Sequence, residues 1–462
     1  MQQHNSSKPI SRRQLGRMTA ATGCAAILGS LTQCISDSKP MPNIIWIVGE
    51  DMGPDLGCYG TPLVHTPNLD RIAAEGMRFT NCYTTAPVCS ASRSAIATGM
   101  YQTSIDAQNQ RSHRKDGYSP PSPIRILSHY LRDLGYFTSN VRPVDFEYKA
   151  RGKDDFNFQA ENIWDGMMWT ERQPGQPFFA QINFQEPHRG PSWERAAKQK
   201  QRIDPDQVTL PPWYPDIPEL REEWAWYLDA VNLLDVYTGD VIKRLEQEGH
   251  WDDENTIIMF FGDNGRCELR GKQFLYDAGI QVPLMVRWPG HIQPGTVNDD
   301  LISGIDFAPT FLNLAGMTPP DHMHGQVFLG PDAAPPREYI IAARDRVDEA
   351  VDRIRCVRTK NYKYIRNYMP EVPYLLAQEY REKHYPSFHI MKRLYAEGKL
   401  TPEQAAFAAP TKPEEELYDL VNDPNELRNL EKSAEHQPVL EELRALLDQW
   451  DRETDDKGRI PG

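Results

Sequence analysis

Residues 43–48 (Asn-Ile-Ile-Trp-Ile-Val) form an apolar run that stops abruptly at Gly49-Glu50-Asp51. A continuous run of this length, without polar alternation, is how a strand buried on both faces reads. Residues 178–184 and 256–261 repeat the pattern, ending near Glu186-Pro187-His188 and in Gly262-Asp263-Asn264-Gly265. Helical patterns lie between and around them, at 67–76, 123–134 and 220–248. Strands alternating with helices predict an α/β domain with a mostly parallel sheet. In such sheets ligands sit outside the carboxyl ends of the strands. Three strands delivering polar clusters to one edge therefore predict an active site there.

From residue 337 the texture changes. Short strand-like runs at 339–342 and 362–365 alternate with charged loops, and a helix is expected over 439–450. The expected organisation is an N-terminal leader and linker over 1–38, a main α/β domain over 39–336 and a smaller α+β domain over 337–462. With 38 prolines, the loops should be long and well punctuated.

Charge and cysteine content narrow the function. The formal net charge of −14 argues against general nucleic-acid binding, since phosphate backbones are held by basic faces. At the start, Lys8, Arg12, Arg13 and Arg17 precede a small, uncharged segment over 18–35. That is the layout of an export signal, and Ser11-Arg12-Arg13-Gln14-Leu15 looks like a twin-arginine signal. Leu31-Thr32-Gln33-Cys34 resembles a lipoprotein box, with Gln33 where a small residue is usual, so tethering through Cys34 is a weaker expectation. No other stretch is apolar for the ~18 residues of a membrane span, so the expected mature protein is periplasmic or extracellular, soluble or tethered. The seven cysteines include no C-x-x-C pair, which excludes a disulfide scaffold and a zinc finger.

The most informative segment is Pro87-Val88-Cys89-Ser90-Ala91-Ser92-Arg93, continuing through small residues to Thr98-Gly99. It fits the start of a helix, where free N–H groups and the positive dipole end favour an anion or a modified side chain. The stretch resembles the signature of the type I sulfatases, Cys-x-(Pro or Ala)-x-Arg followed by Thr-Gly. Other segments fall in the order of that family from residue 42 to about 430, near its heparan N-sulfatase-like branch. The resemblance implies the alkaline-phosphatase-like sulfatase fold, with an antiparallel sheet in the smaller domain. It also implies that a maturase oxidises Cys89 to formylglycine (3-oxoalanine), whose hydrate is the nucleophile oriented by Arg93.

The resemblance further implies a metal site of Glu50, Asp51, Asp263 and Asn264, joined by the oxygen made from Cys89. Glu50 stands where most members have Asp. An all-oxygen donor set suits Ca²⁺ or Mg²⁺ rather than zinc. Gly271-Lys272 through Tyr276-Asp277-Ala278-Gly279-Ile280 is similar to the segment that places a lysine on sulfate, here Lys272. Residues 183–188 resemble the segment supplying a catalytic histidine, here His188. Lys153, in Gly152-Lys153-Asp154-Asp155, matches a further family lysine, but Asp155 replaces the usual histidine. Asp155 or His113 then becomes the candidate base, and Arg344, in Arg344-Asp345-Arg346, the candidate reader of the neighbouring sugar.

The implied activity is hydrolysis of sulfate esters of a sulfated polysaccharide or oligosaccharide. The alternatives are a sulfamidase acting on N-sulfoglucosamine and a phosphonate monoester hydrolase or phosphodiesterase of the same superfamily. Sugar, bond position and oligomeric state stay open. Local cations at Arg93, Lys153 and Lys272 reconcile an acidic chain with one anionic substituent.

Overall fold

Side chains of residues 44–48 point alternately into two hydrophobic cores, which is why that run is apolar. A computed structural model of the protein describes residues 41–110, 117–141 and 152–459. The expected leader, with Cys34, and the candidate base His113 lie outside the described residues. Seven strands, β1 (Asn43–Gly49), β2 (Met77–Tyr83), β3 (Phe137–Val141), β4 (Phe178–Phe184), β5 (Thr256–Gly262), β6 (Leu284–Arg287) and β7 (Thr296–Ser303), form one sheet in the order β3-β4-β1-β5-β6-β2-β7. All neighbours are parallel except β6, which runs antiparallel to both β5 and β2. A second sheet, β8 (Tyr339–Arg344), β9 (Ile354–Thr359), β10 (Tyr362–Asn367) and β11 (Glu415–Asp419), is antiparallel in the order β11-β10-β9-β8. The expected mixed architecture, a mostly parallel sheet beside an antiparallel one, is the one observed.

Ile45 and Ile47 enter one core, and Ile44, Trp46 and Val48 enter the other. Trp46 meets Phe179, Phe261 and Phe311 edge-on with ring centroids 5.1, 5.4 and 5.4 Å away. Emptying that position to Ala costs about 3–5 kcal/mol.

Helices cover both faces. They include α1 (Pro67–Ala74), α2 (Cys89–Thr98), α3 (Leu127–Asp133), α4 (Pro191–Ala196) and the long α5 (Pro218–Gln247). In α5, Leu220, Trp224, Leu228, Val231, Leu234, Val241 and Leu245 recur at helical spacing and are buried. They pack into the same core as Ile340, Cys356 and Ile365 of the second sheet, so from Met41 on the chain is one compact unit. Leu440, Leu443, Leu447 and Trp450 of the terminal helix Gln437–Thr454 cover the other face of that sheet. One expected helix is shorter than the sequence suggests: α3 starts at Leu127, not at residue 123. Ile126 is extended and packs, with Ile124, into a separate cluster around Met100, Ile105 and Phe158.

Among the described residues no helix is long and apolar enough to cross a membrane. The five described cysteines, Cys58, Cys82, Cys89, Cys267 and Cys356, are all free thiols.

Candidate active site

Gly49 pairs with both Phe184 and Gly262, so β1, β4 and β5 end level with one another. Their continuations carry the polar clusters to one edge, and backbone bonds stitch them together. Glu50 N–H donates to the Glu186 carbonyl at 3.1 Å, and Met52 N–H to the Asn264 carbonyl at 2.8 Å. Asp51 adopts a left-handed conformation, with φ of 59°. A non-glycine residue takes that conformation only when its surroundings enforce it. Here its N–H donates to Asp263 Oδ1 at 2.9 Å.

Val88 is extended and Cys89 is the first residue of α2. The Cys89 thiol is buried and faces Asp51 Oδ1 at 3.4 Å and Glu50 Oε1 at 3.9 Å. Lys272 Nζ stands 3.3 Å from the sulfur and donates to both Asp51 oxygens at 2.8 and 2.7 Å. Lys153 pairs with Glu50 and reaches Asp155 at 3.1 Å. One turn into α2, Arg93 donates from Nε to Asp263 and from Nη1 to Asn183 Oδ1, both at 2.8 Å. His188 Nδ1–H donates to the Arg189 carbonyl at 2.7 Å, leaving Nε2 3.5 Å from Asp51 Oδ2 and 3.9 Å from Glu50 Oε1.

The electrostatics follow from burying three carboxylates beside three cations. Burial works to raise the Glu50 and Asp51 carboxyls, but Lys153 and Lys272 respectively outweigh it and hold both below the usual range. For Asp263 burial prevails over Arg93, and its carboxyl lies above the usual range. Burial, reinforced by Asp51, pushes the Cys89 thiol well up. Burial lowers the His188 imidazole, against the opposing pull of Asp51.

A divalent ion fits this donor set. Oxygens of Glu50 and Asp263 and the Cys89 sulfur lie within 4.8 Å of one another, and all three residues are buried. Asn264 Oδ1 is buried with no hydrogen-bond partner, while its Nδ2 donates to Asp51 Oδ1 at 3.1 Å. Carboxylate and amide oxygens of this kind are the ligands of Ca²⁺ and Mg²⁺.

Lys272 and His188 also line a cavity of about 370 Å³, with Gln110, Gln273, Asp348 and Tyr380 on its walls. Thus the structure gathers Glu50, Asp51, Cys89, Arg93, Lys153, Asp155, His188, Asp263, Asn264 and Lys272 into one cluster. It does not bring Arg344 to the cavity, since that side chain is 2% exposed and donates to Asp352 Oδ2 at 2.6 Å. Three residues escaped the sequence reading. Asn183, the second anchor of Arg93, had a signal, because an asparagine inside the apolar run 178–184 has to be satisfied by something buried. Tyr380 and Asp348 had none, since they come from segments far along the chain.

Comparison with known proteins agrees with this geometry. The model of the sulfatase family matches residues 42–317, and the C-terminal model of N-sulphoglucosamine sulphohydrolase matches 265–380. An "ulvan-active sulfatase" of Formosa agariphila is 38% identical, covering 91% of this chain and 76% of that protein. The human N-sulphoglucosamine sulphohydrolase is 25% identical over 94% of both chains. A solved structure described as in complex with its substrate D-glucosamine-2-N,6-O-disulfate superposes with a TM-score of 0.62, at 20% identity over 90% of this chain and 98% of that one.

Proposed function

The chain belongs to the sulfatase family and is a sulfuric ester hydrolase, and from that premise we propose that it removes sulfate from a sulfated glycan through an aldehyde made from Cys89. The observation that carries this reading is the setting of Cys89. Its thiol lies beside two carboxylates, and burial, reinforced by Asp51, keeps it protonated and so a poor nucleophile as it stands. In this structure the sulfur marks the place of an oxygen of the hydrated aldehyde. Conversion by a maturase would turn an inert thiol into an oxygen already aimed by Lys272 and the acids around it.

Glu50, Asp51, Asp263 and Asn264 would hold Ca²⁺, or Mg²⁺, beside that oxygen. Together, ion and aldehyde hydrate supply a nucleophilic oxygen at neutral pH. Charge balance supports an ion here: the cluster's four carboxylates, Glu50, Asp51, Asp155 and Asp263, outnumber the three cations Arg93, Lys153 and Lys272, so a divalent cation would turn the balance positive for an anionic sulfate ester.

The chain's own residues then have distinct tasks. Arg93, fixed by Asp263 and Asn183, holds the nucleophile's orientation. Lys272 and Lys153 bind sulfate oxygens and stabilise their charge as the sulfur–oxygen bond breaks. His188 gives a proton to the departing sugar oxygen. Its Nδ1–H is engaged by the Arg189 carbonyl, so Nε2 is the atom that faces Asp51 and would carry the transferred proton, which it must first take up because burial, opposed by Asp51, favours the neutral ring. Asp155, held by Lys153, takes the place of the missing family histidine as the base that frees the sulfate. The basic and small-residue segments before residue 36 support export.

The test is turnover by matured protein of 4-nitrophenyl sulfate, a panel of sulfated oligosaccharides, N-sulfoglucosamine and an aryl phosphonate, with a Cys89→Ser control. Turnover of an oligosaccharide sulfate ester above the control supports the proposal. Turnover confined to the sulfamate or to the phosphonate assigns the site to that chemistry instead.

A further inference from the structure

The cavity above Lys272 and His188 is walled by two segments of the C-terminal part of the chain, Asp348-Glu349 and the short helix Glu379–His384. They are tied to each other and to the sulfate-binding lysine by a relay of buried side chains. Arg381 donates to Gln273 Oε1, Gln273 Nε2 donates to Gln378 Oε1 at 2.7 Å, and Gln378 Nε2 donates to Asp348 Oδ2 at 2.9 Å. Arg381, Gln273 and Gln378 are each no more than 3% exposed. Gln273 directly follows Lys272, and its N–H donates to the carbonyl of Pro87, two residues before Cys89. A carboxylate at the lip is thus fixed relative to the nucleophile by an unbroken chain of hydrogen bonds.

Asp348 has two further marks of a placed residue. Its backbone is left-handed, with φ of 50°. Its hydrogen bond to Gln378 uses one oxygen, and the residue lines the cavity. Glu349 and Glu379 lie on the same rim, so three carboxylates share the mouth with Lys383 and His384. Next to Glu379 on the same short helix, the Tyr380 ring lies with its centroid 5.9 Å from that of His188 and 6.0 Å from Lys272 Nζ, an apolar wall beside the reacting centre.

We propose that Asp348 is a specificity-determining residue that accepts hydrogen bonds from hydroxyl groups of the sulfated sugar, and that this acidic rim excludes a second anionic substituent on the same sugar. The inference rests on the sulfatase reading above and names the substrate class within it: a sugar whose one charged group is the sulfate to be removed. A fixed carboxylate is a strong acceptor for hydroxyl donors. Facing a second sulfate or a uronate it is a like charge, and rejection by an unpaired or repelled group is how sites discriminate most sharply.

The experiment is steady-state kinetics of the matured protein and its Asp348→Asn and Asp348→Ala variants. The substrates are 4-nitrophenyl sulfate, a hexose monosulfate and the same hexose carrying a second sulfate. The wild type is expected to prefer the monosulfate to the disulfate by at least tenfold in kcat/KM. Asp348→Ala should raise KM for the monosulfate at least tenfold, with 4-nitrophenyl sulfate turnover within threefold of wild type. Asp348→Asn should narrow the preference between the two sugars. Equal losses on the aryl and sugar sulfates, an unchanged KM, or a wild-type preference for the disulfate would each overturn the inference while leaving the sulfatase reading intact. If neither aryl nor sugar sulfate is turned over, it is the sulfatase reading that fails.

Discussion

Two buried arginines, Arg93 and Arg189, are used in opposite ways. Arg189 donates to the Cys267 and His384 carbonyls and to Glu223 and Glu268, at 2.8, 3.1, 2.5 and 2.8 Å. Its guanidinium also lies 4.2 Å from the ring centroid of Trp193 and 4.0 Å from that of Tyr385. Arg93 is equally buried, yet its Nη2 has no partner, and it belongs to a cluster that also holds the orphaned Asn264 Oδ1. A saturated guanidinium locks segments together. A guanidinium with a spare donor, next to a cavity-facing lysine and histidine, is built to receive something. Buried charge alone therefore does not mark a site, because both regions have it. What separates them is a guanidinium nitrogen left without a partner in the cluster that reaches the cavity.

Substitutions at the two regions should part company accordingly. The largest effect is expected for Cys89→Ala, which should lower kcat by about 10⁴-fold or more with little change in thermal midpoint, as measured by 4-nitrophenyl sulfate hydrolysis and calorimetry. Arg93→Ala should cost about 10²–10³-fold in kcat. Arg189→Leu should instead lower stability by about 3–5 kcal/mol, because it strands Glu223 and Glu268, while the folded fraction keeps activity within tenfold. Denaturant melts paired with rates distinguish the two, and an Arg189 variant that is stable but dead would erase the contrast.

Removal of divalent ions offers a gentler probe. A chelator should abolish turnover and lower the thermal midpoint of the wild type, with Ca²⁺ restoring both. In Asp263→Ala the midpoint should no longer respond to chelator.

The closed cluster also carries a pH dependence of its own. Burial pushes the Glu268 carboxyl up to about 8, with Arg189 opposing. The folded state then holds a proton that the unfolded state has released above its ordinary carboxyl pKa. Stability should therefore fall as pH rises from about 5 to 8, by up to about 1.4 kcal/mol per pH unit. Glu268→Gln should flatten that slope in pH-dependent melts, and an unchanged slope would assign it to other groups.

The sequence made the floor of the site legible and left its walls obscure, for a physical reason. A strand buried on both faces must be apolar until it ends, so the first polar residues after it, Glu50, Asp51, Asp263 and Asn264, announce themselves. Cys89 and Arg93 share one turn of one helix, so their spacing is a local property. Asp348 and Tyr380 reach the cavity through the packing of the second sheet and its helices, which no short window contains. Arg344 illustrates the same limit from the other side. Its charge cluster gives no hint that Asp352, eight residues on, takes the guanidinium at 2.6 Å and buries it. Residues 123–126 looked helical because their apolar positions fit the period, yet Ile124 and Ile126 are used by a different cluster.

The central claim is that Cys89 acts as an aldehyde and not as a thiol. Mass spectrometry of the Cys89 peptide, from active protein made with a maturase, tests it most directly. The account predicts a peptide that has lost its sulfur, reacts with a hydrazide probe and scales in abundance with sulfatase activity. Fully active protein whose Cys89 still takes up a thiol alkylating agent would contradict it.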